Sequence, residues 1–200
     1  MPQPVCKELA RLLYSRNGTV YLAARSAPKV DEAIAWVKAV HSSSQGTLRY
    51  LHLDLNDLEG IKPSIEECLS REKRLDVLWN NAGVMWPPQG SKTKQGYEMQ
   101  LGTNCIGPFL FTKLLTPLLL LTAKKGTEGS VRVVWVSSSA AHPAARMYGV
   151  DMSNIEYGKE QSPSAKYAVS KPVMYCMRCN FRRGTGRRVL LVWYVALPVL

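Results

Sequence analysis

The sequence predicts an α/β fold: a doubly wound parallel sheet, with helices on both faces, that is incomplete because it lacks its first strand. Three observations predict it. Short β-like runs alternate with amphipathic helical stretches along most of the chain, the pattern of strand–helix–strand units. Residues 131–136, Val-Arg-Val-Val-Trp-Val, form a β-branched run suited to a central parallel strand buried on both faces. The order opens on a helix, whereas a doubly wound domain opens on a strand whose following turn binds phosphate.

Taken in order, residues 5–15 carry Val5, Leu9, Leu12 and Leu13 at helical spacing. Asn17-Gly18 ends that helix with residues that tolerate the left-handed conformation. Residues 19–24 read as a buried strand, 28–40 as a helix and 48–53 as a strand. A helix over 58–70 and a strand over 75–79 follow. Residues 80–94 are a loop rich in Gly and Pro. The longest helix lies within 97–123, with Pro108 and Pro117 expected to bend or interrupt it. After the central strand, 140–162 is loop-like, 164–181 is helical, and 189–195 reads as a last strand. Neither a repeat nor a linker divides residues 1–200, so one domain is expected.

Composition narrows the function classes. The chain has 200 residues, 46% hydrophobic and 20% charged, ordinary for a globular domain that buries one core. Its formal charge of +11 is uneven: residues 171–200 hold six basic and no acidic residues, and subtracting these leaves +5 on the rest. With no zinc-finger, RNP-type or basic-zipper signature beside that charge, nucleic acid is not an expected partner. Five cysteines at irregular spacing argue against a secreted disulfide framework. Cys176 and Cys179 form a lone C-x-x-C that no second pair completes into a metal site. No signal peptide opens the sequence, and the apolar run 189–200 is shorter than the roughly 20 residues of a spanning helix. A cytoplasmic protein without a transmembrane segment is expected.

The chemistry concentrates at three places. Tyr167 and Lys171 are four apart on a predicted helix and so share a face. A phenol has an ordinary pKa near 10, and a nearby cation favours its ionised form. Upstream, the central strand ends in Ser137-Ser138-Ser139, hydroxyls at the carboxyl end of a parallel strand, where open α/β sheets bind ligands. Further upstream, the strand over 75–79 runs into Asn80-Asn81-Ala82-Gly83; amides there can tie loops together, and Gly83 lets backbone pass close to a ligand.

These elements, with Asn104 between them, resemble the short-chain dehydrogenase/reductase family in order and content, from about Cys6 to Lys171. Asn80-Asn81-Ala82-Gly83 stands as its N-N-A-G motif, Asn104 as its structural and catalytic asparagine, Ser138 as its catalytic serine, and Tyr167 and Lys171 as its final pair. The resemblance implies a Rossmann-type domain and an oxidoreductase. In it Tyr167 exchanges a proton with the substrate oxygen and Ser138 holds that oxygen. Lys171 lowers the Tyr167 pKa and holds the nicotinamide ribose, and Asn104 anchors a water in the proton relay. A nicotinamide cofactor carries the hydride. The acidic residue that would favour NAD is absent after residues 20–24. Arg25 and Ser26 stand there instead, suited to a 2′-phosphate, so NADP is expected. Asp54 matches the residue that contacts adenine, and Asn81 and Gly83 join the cofactor site. The long interval between Ser138 and Tyr167, with a stretch over 152–162, is similar to the retinol-dehydrogenase-like branch. That implies a lipophilic alcohol or ketone as substrate. Pairing through the long helices that family members use to dimerise, as a homo- or hetero-dimer, is also implied.

Two departures from the family stand out. Its opening strand and T-G-x-x-x-G-x-G turn are not found, and Pro4-Val5-Cys6 stands where Gly-Val-Gly would align. After Lys171, Pro172 follows at once, and residues 182–188 and the apolar tail fit no family pattern, so residues 171–200 read as a divergent tail. The expectation is therefore a truncated family member, either active or an inactive paralogue that keeps the site without the cofactor cradle, or a non-catalytic partner of an intact relative.

Overall fold

The computed structural model describes residues 5–139, 152–155, 157, 159–171 and 189–196. They fall into two compact units, 1–54 and 55–200. The sequence expectations for Cys176, Cys179 and residues 182–188 lie outside the described residues.

In the first unit, α1 (Val5–Ser15), β1 (Thr19–Ala24), α2 (Ala27–Val40) and β2 (Thr47–His52) follow one another. α1 ends as the sequence predicts. Asn17 takes the left-handed conformation with φ 62°, its N–H donates to Tyr14 O at 2.9 Å, and Gly18 N–H donates to Leu13 O at 3.0 Å. This pair of bonds satisfies carbonyls that the end of a helix leaves open. The reversed chain enters β1, which pairs in parallel with β2 from Thr19↔Thr47 to Ala24↔His52. Tyr14 of α1, Val37 of α2 and Leu48 of β2 form the core, with Val20, Leu22, Ile34 and Trp36 packed on it. The Lys7 ammonium lies 4.1 Å from the centre of the Trp36 ring, tying α1 to α2.

The second unit opens with α3 (Leu58–Arg71), then β3 (Val77–Asn80). Asp57 caps α3 by accepting from Glu59 N–H at 3.2 Å. Asp57 also accepts from Lys94 Nζ at 2.8 Å and Gln95 Nε2 at 3.1 Å, and these donors hold its carboxyl below the usual carboxylate range. That cluster fastens the loop after β3 to the start of α3. Next come α4 (Met99–Leu101), a π-turn (Gly102–Ile106) and α5 (Gly107–Lys125). The expected interruption is present as a π-turn, Gly102–Ile106, directly ahead of Pro108, which has no N–H to give to that turn, while Pro117 lies inside α5.

The continuous helical stretch Met99–Lys125 is long and apolar enough to cross a membrane by length and composition. Half of its most apolar window is buried inside the protein, as in a core helix, and α5 packs on α3, β4 and β5. β4 (Val131–Ser138) pairs in parallel with β3 on one side and with β5 (Val189–Ala196) on the other, giving the order β3-β4-β5. The run predicted as a central strand is one, with Val131, Val133, Val134, Trp135 and Val136 all buried. β1 and β3 each have a single paired neighbour among the described strands. The last helix, α6, covers Pro163–Ser170, so the described part of the expected 164–181 helix ends at its first third.

Gly107 fixes the seat of α5. A Cβ there would stand 2.6 Å from Leu55 O, a backbone atom that cannot swing aside. Gly107→Ala is expected to cost about 1–3 kcal/mol of stability, the usual range for overpacking. The urea midpoint of the variant against the parent measures it.

Candidate active site

The site is built where three segments meet: the loop leaving β3, the π-turn and the end of α6. Ser162 caps α6 by accepting from Ala165 N–H at 3.2 Å, and Pro163 occupies the first turn. One turn of helix separates Tyr167 from Lys171, and the Lys171 ammonium lies 5.3 Å from the centre of the Tyr167 ring, as the i, i+4 spacing predicts. Tyr167 is half-buried, while Lys171 is buried with 6% of its surface exposed. Burial disfavours the charged ammonium and pulls the Lys171 pKa below the usual lysine range.

Asn104 lies at the middle of the π-turn, 2% exposed. Its Oδ1 accepts from Val84 N–H at 2.7 Å, and its Nδ2 donates to Val84 O at 3.0 Å and to Ser170 Oγ at 3.0 Å. The amide thus clamps both backbone groups of one residue in the β3 loop and reaches the end of α6. Ser170 Oγ in turn donates to Tyr167 O at 2.8 Å. Cys105, the next residue of the π-turn, donates from Sγ to Ser170 O at 2.7 Å; burial pushes this thiol pKa well up, which keeps it protonated.

Gly83 completes the junction. A Cβ at Gly83 would stand 2.9 Å from Asn104 Oδ1 and 3.5 Å from Lys171 Nζ. The absence of a side chain at Gly83 is therefore what lets the loop lie close against the Asn104 amide and the Lys171 ammonium. A second tie runs through Gln100, whose Oε1 accepts from Trp86 N–H at 3.3 Å and whose Nε2 donates to Pro163 O at 2.9 Å. Trp86 is held with φ 53°, a left-handed conformation rare for a bulky residue, and its ring is exposed beside the exposed Met85.

Ser138 is the last residue of β4, half-buried, and β3 ends at Asn80 opposite Trp135. The strands are parallel, so Ser138 and the Asn81–Gly83 loop leave the same carboxyl edge of this sheet. Asn80 turns away from the site and donates from Nδ2 to Thr112 Oγ1 at 2.9 Å. Strand alternation sends Ser137 to the opposite face from Ser138, where it is buried with no hydrogen-bond partner for its Oγ among the described residues.

Of the predicted site residues, the structure brings Gly83, Asn104, Tyr167 and Lys171 together and places Asn81 and Ser138 on strand ends at the same edge. Arg25, Ser26 and Asp54 belong to the first unit. There Arg25 follows β1 and is exposed, Ser26 precedes α2 without spending its side chain on a cap, and Asp54 is half-buried after β2. The residues that sequence reasoning passed over are Ser170, Gln100 and Cys105. Ser170 carried a signal, because a serine three residues after Tyr167 can bond back to its carbonyl.

A parallel α/β sheet of Rossmann type, with a Tyr–Lys helix and an asparagine π-turn at its carboxyl edge, defines the class of protein. Within that class the chain belongs to the short chain dehydrogenase family of oxidoreductases, whose family model matches residues 3–150. It is 54% identical over 191 residues to a short-chain dehydrogenase/reductase of Phomopsis amygdali, covering 96% of this chain and 57% of that relative. It is 55% identical over 163 residues to the short-chain dehydrogenase/reductase pkfC of Emericella nidulans, covering 82% of this chain and 52% of that one. The chain therefore spans a little over half the length of these curated relatives. Among solved structures, a metagenomic short-chain oxidoreductase in complex with NADP superposes with a TM-score of 0.68 at 20% identity, over 97% of this chain and 76% of that one. An NADH-dependent reductase, A1-R′, complexed with NAD gives 0.74 at 17% identity, over 96% and 73%. These two likenesses are of fold.

The burial of Lys171 has a thermodynamic consequence. Its folded pKa is lowered by desolvation, so the unfolded chain binds this proton more tightly, and stability rises with pH between the lowered value and the ordinary 10.5. Below that window the folded chain carries the full cost of burying the charge. Lys171→Met is expected to raise the urea midpoint at pH 7, and the gain is expected to shrink as pH climbs toward 10.5. Urea titrations of both proteins at pH 7 and pH 10 check the sign.

Proposed function

We propose that the chain is an NADP-dependent oxidoreductase that interconverts a lipophilic alcohol and its ketone or aldehyde. The observation that carries the reading is the buried Lys171 ammonium, 5.3 Å from the centre of the Tyr167 ring on α6, at the junction where Asn104 ties Ser170 to the loop after Gly83. Tyr167 is half-exposed and so can meet a substrate, with the Lys171 ammonium beside its ring. In this reading Tyr167 Oη donates its proton to the substrate oxygen during reduction and accepts one during oxidation. Ser138, at the end of β4, holds that oxygen as charge develops on it. Lys171 stands beside Tyr167 and would hold the nicotinamide ribose, and Asn104 keeps the π-turn and the Gly83 loop in place for the proton relay.

The residues present fit a nicotinamide cofactor. Gly83 keeps the loop backbone bare beside Asn104 and Lys171, where a Cβ would press on the amide. Ser26 makes no capping bond, and Arg25 is exposed next to it. Arg25 and Ser26 would hold the 2′-phosphate, Asp54 the adenine, and Asn81, Gly83, Asn104, Tyr167 and Lys171 the nicotinamide end. The chemistry that the cofactor supplies when bound is hydride transfer, which no side chain can carry. A guanidinium fork on a phosphate is the strong, bidentate kind of contact, which favours NADP over NAD.

Two features support an apolar substrate and the retinol-dehydrogenase-like branch. The exposed Met85 and Trp86 follow Gly83 directly. Before α6, the Asn154 side chain bonds both backbone groups of Lys159 at 2.8 and 2.9 Å, and Tyr157 is half-buried. A second reading, a non-catalytic relative that pairs with another chain, draws support from β1, β2, β3 and β5, each with one paired neighbour among the described strands, since edge strands are where further chains can add.

Reduction of an apolar aldehyde such as decanal, followed with NADPH and with NADH, tests the proposal. NADPH is expected to be preferred. Arg25→Ala is expected to lose about 10- to 100-fold in kcat/KM with NADPH and little with NADH, the size of a lost charge-assisted phosphate contact. Tyr167→Phe is expected to lower kcat by about 10²–10⁴-fold, as removal of a general acid does. Equal use of both cofactors would overturn the role of Arg25. Turnover unaffected by Tyr167→Phe would favour the non-catalytic reading.

A further inference from the structure

We infer that Ser170 is a positioning residue of this site: its hydroxyl sets Tyr167 and Lys171 against the Asn104 clamp and the Gly83 loop. The inference rests on the reading of Tyr167 and Lys171 as the reacting pair.

Ser170 is fully buried, at 0% exposure, and its hydroxyl is used in both directions. It donates to Tyr167 O at 2.8 Å and accepts from Asn104 Nδ2 at 3.0 Å. Its carbonyl accepts from Cys105 Sγ at 2.7 Å. Two consecutive residues of the π-turn thus close on one residue of α6. Successive helical residues point roughly 100° apart, so both reach Ser170 only because it is seated between them. A single inserted residue of the π kind is a common way to re-aim side chains at a functional site.

The place of Ser170 in the chain gives this contact its consequence. It is the last residue of α6 and the one before Lys171, and Pro172 comes next and cannot extend the helical ladder. The final turn, which sets the ammonium beside the Tyr167 ring, is therefore braced from the side, by Ser170 Oγ on Tyr167 O and by Asn104 on Ser170 Oγ. Without the hydroxyl, one N–H of a buried amide has no acceptor in place. Such a group recovers its bond by moving, and Asn104 moving away from Val84 would release the Gly83 loop as well. Ser170 touches the site through these two residues, so its loss should disturb the reacting geometry more than the fold.

The test compares Ser170→Ala, Ser170→Thr and Ser64→Ala with the parent chain. Ser64 is a matched control: a buried helical serine of α3 whose hydroxyl donates to Gly60 O at 3.0 Å, away from this cluster. The first readout needs no turnover. It is the acetylation of Lys171 by acetic anhydride, measured by peptide mass spectrometry relative to Lys166 on the same helix. The second is kcat and KM for NADPH-dependent reduction of decanal. Ser170→Ala is expected to raise the Lys171:Lys166 labelling ratio about tenfold and to lower kcat about tenfold, the scale of one lost buried hydrogen bond, with KM within about twofold. Ser170→Thr, which keeps the hydroxyl, restores both, and Ser64→Ala changes neither although it lowers the unfolding midpoint. A parental labelling ratio and kcat in Ser170→Ala, or the same changes in Ser64→Ala, would overturn the assignment. If the extra methyl of threonine prevents folding, Ser170→Ala against Ser64→Ala still decides. If the parent chain shows no Tyr167-dependent turnover, the oxidoreductase reading falls, and the labelling ratio alone decides the role of Ser170.

Discussion

The side-chain amide of Asn104 is sealed from water and has one acceptor and two donors to satisfy within the protein. Buried amides left half-bonded are costly, so the elements around such a group must arrive in one arrangement. Here that arrangement joins three segments far apart in sequence. Val84 offers both its N–H and its carbonyl, which fixes the path of the loop leaving β3. Ser170 offers its hydroxyl, which fixes the end of α6. The amide reaches both because the π-turn offsets α4 from α5. Gly83 follows from the same constraint, since any side chain there would press on the carbonyl end of the amide. The geometry of Tyr167 and Lys171 is thus inherited from a polar contact they do not themselves make.

The sheet supplies the frame on which that contact is aimed. β4 is paired on both sides and buried along most of its length, so its register is held by its neighbours and by its valines together. Its last residues leave the apolar core, and alternation then separates Ser137 from Ser138 onto opposite faces. β3 is shorter, Val77–Asn80, and gives way at once to a loop that needs outside support. It receives that support from Asn80 on Thr112, Asn104 on Val84 and Gln100 on Trp86. A rigid strand end and a clamped loop, side by side at one edge, are a sound base for residues that must keep their spacing during a reaction.

Much of this was legible in the sequence wherever a local rule governs the outcome. The left-handed Asn17 at the end of α1, the valine-rich central strand and the one-turn spacing of Tyr167 and Lys171 each follow from covalent geometry or periodicity, and each is present. The π-turn was not legible. Pro108 and Pro117 marked the stretch as interrupted, but they did not show that the irregularity would be a π-turn over Gly102–Ile106, whose Asn104 and Cys105 bond to partners that no local window contains. Nor did periodicity show that Asn80 would bond to Thr112 while Asn104 took the Gly83 loop, because two amides of the same type compete for such roles and only packing separates them. Ser170 sat in plain view between Tyr167 and Lys171, but its partner lies 66 residues away.

The burial of Lys171 shows how such a site trades stability against chemistry. A lysine with 6% of its surface exposed carries a desolvation cost that a methionine of similar length would not. A charge kept at such a cost is the kind of feature that marks a functional site, and in the reading proposed above it serves the Tyr167 side of the site. Proteins tolerate costs of this kind at functional sites and offset them elsewhere. Here the closed set of hydrogen bonds among Asn104, Val84 and Ser170 fixes the loop and the helix end that flank the charge.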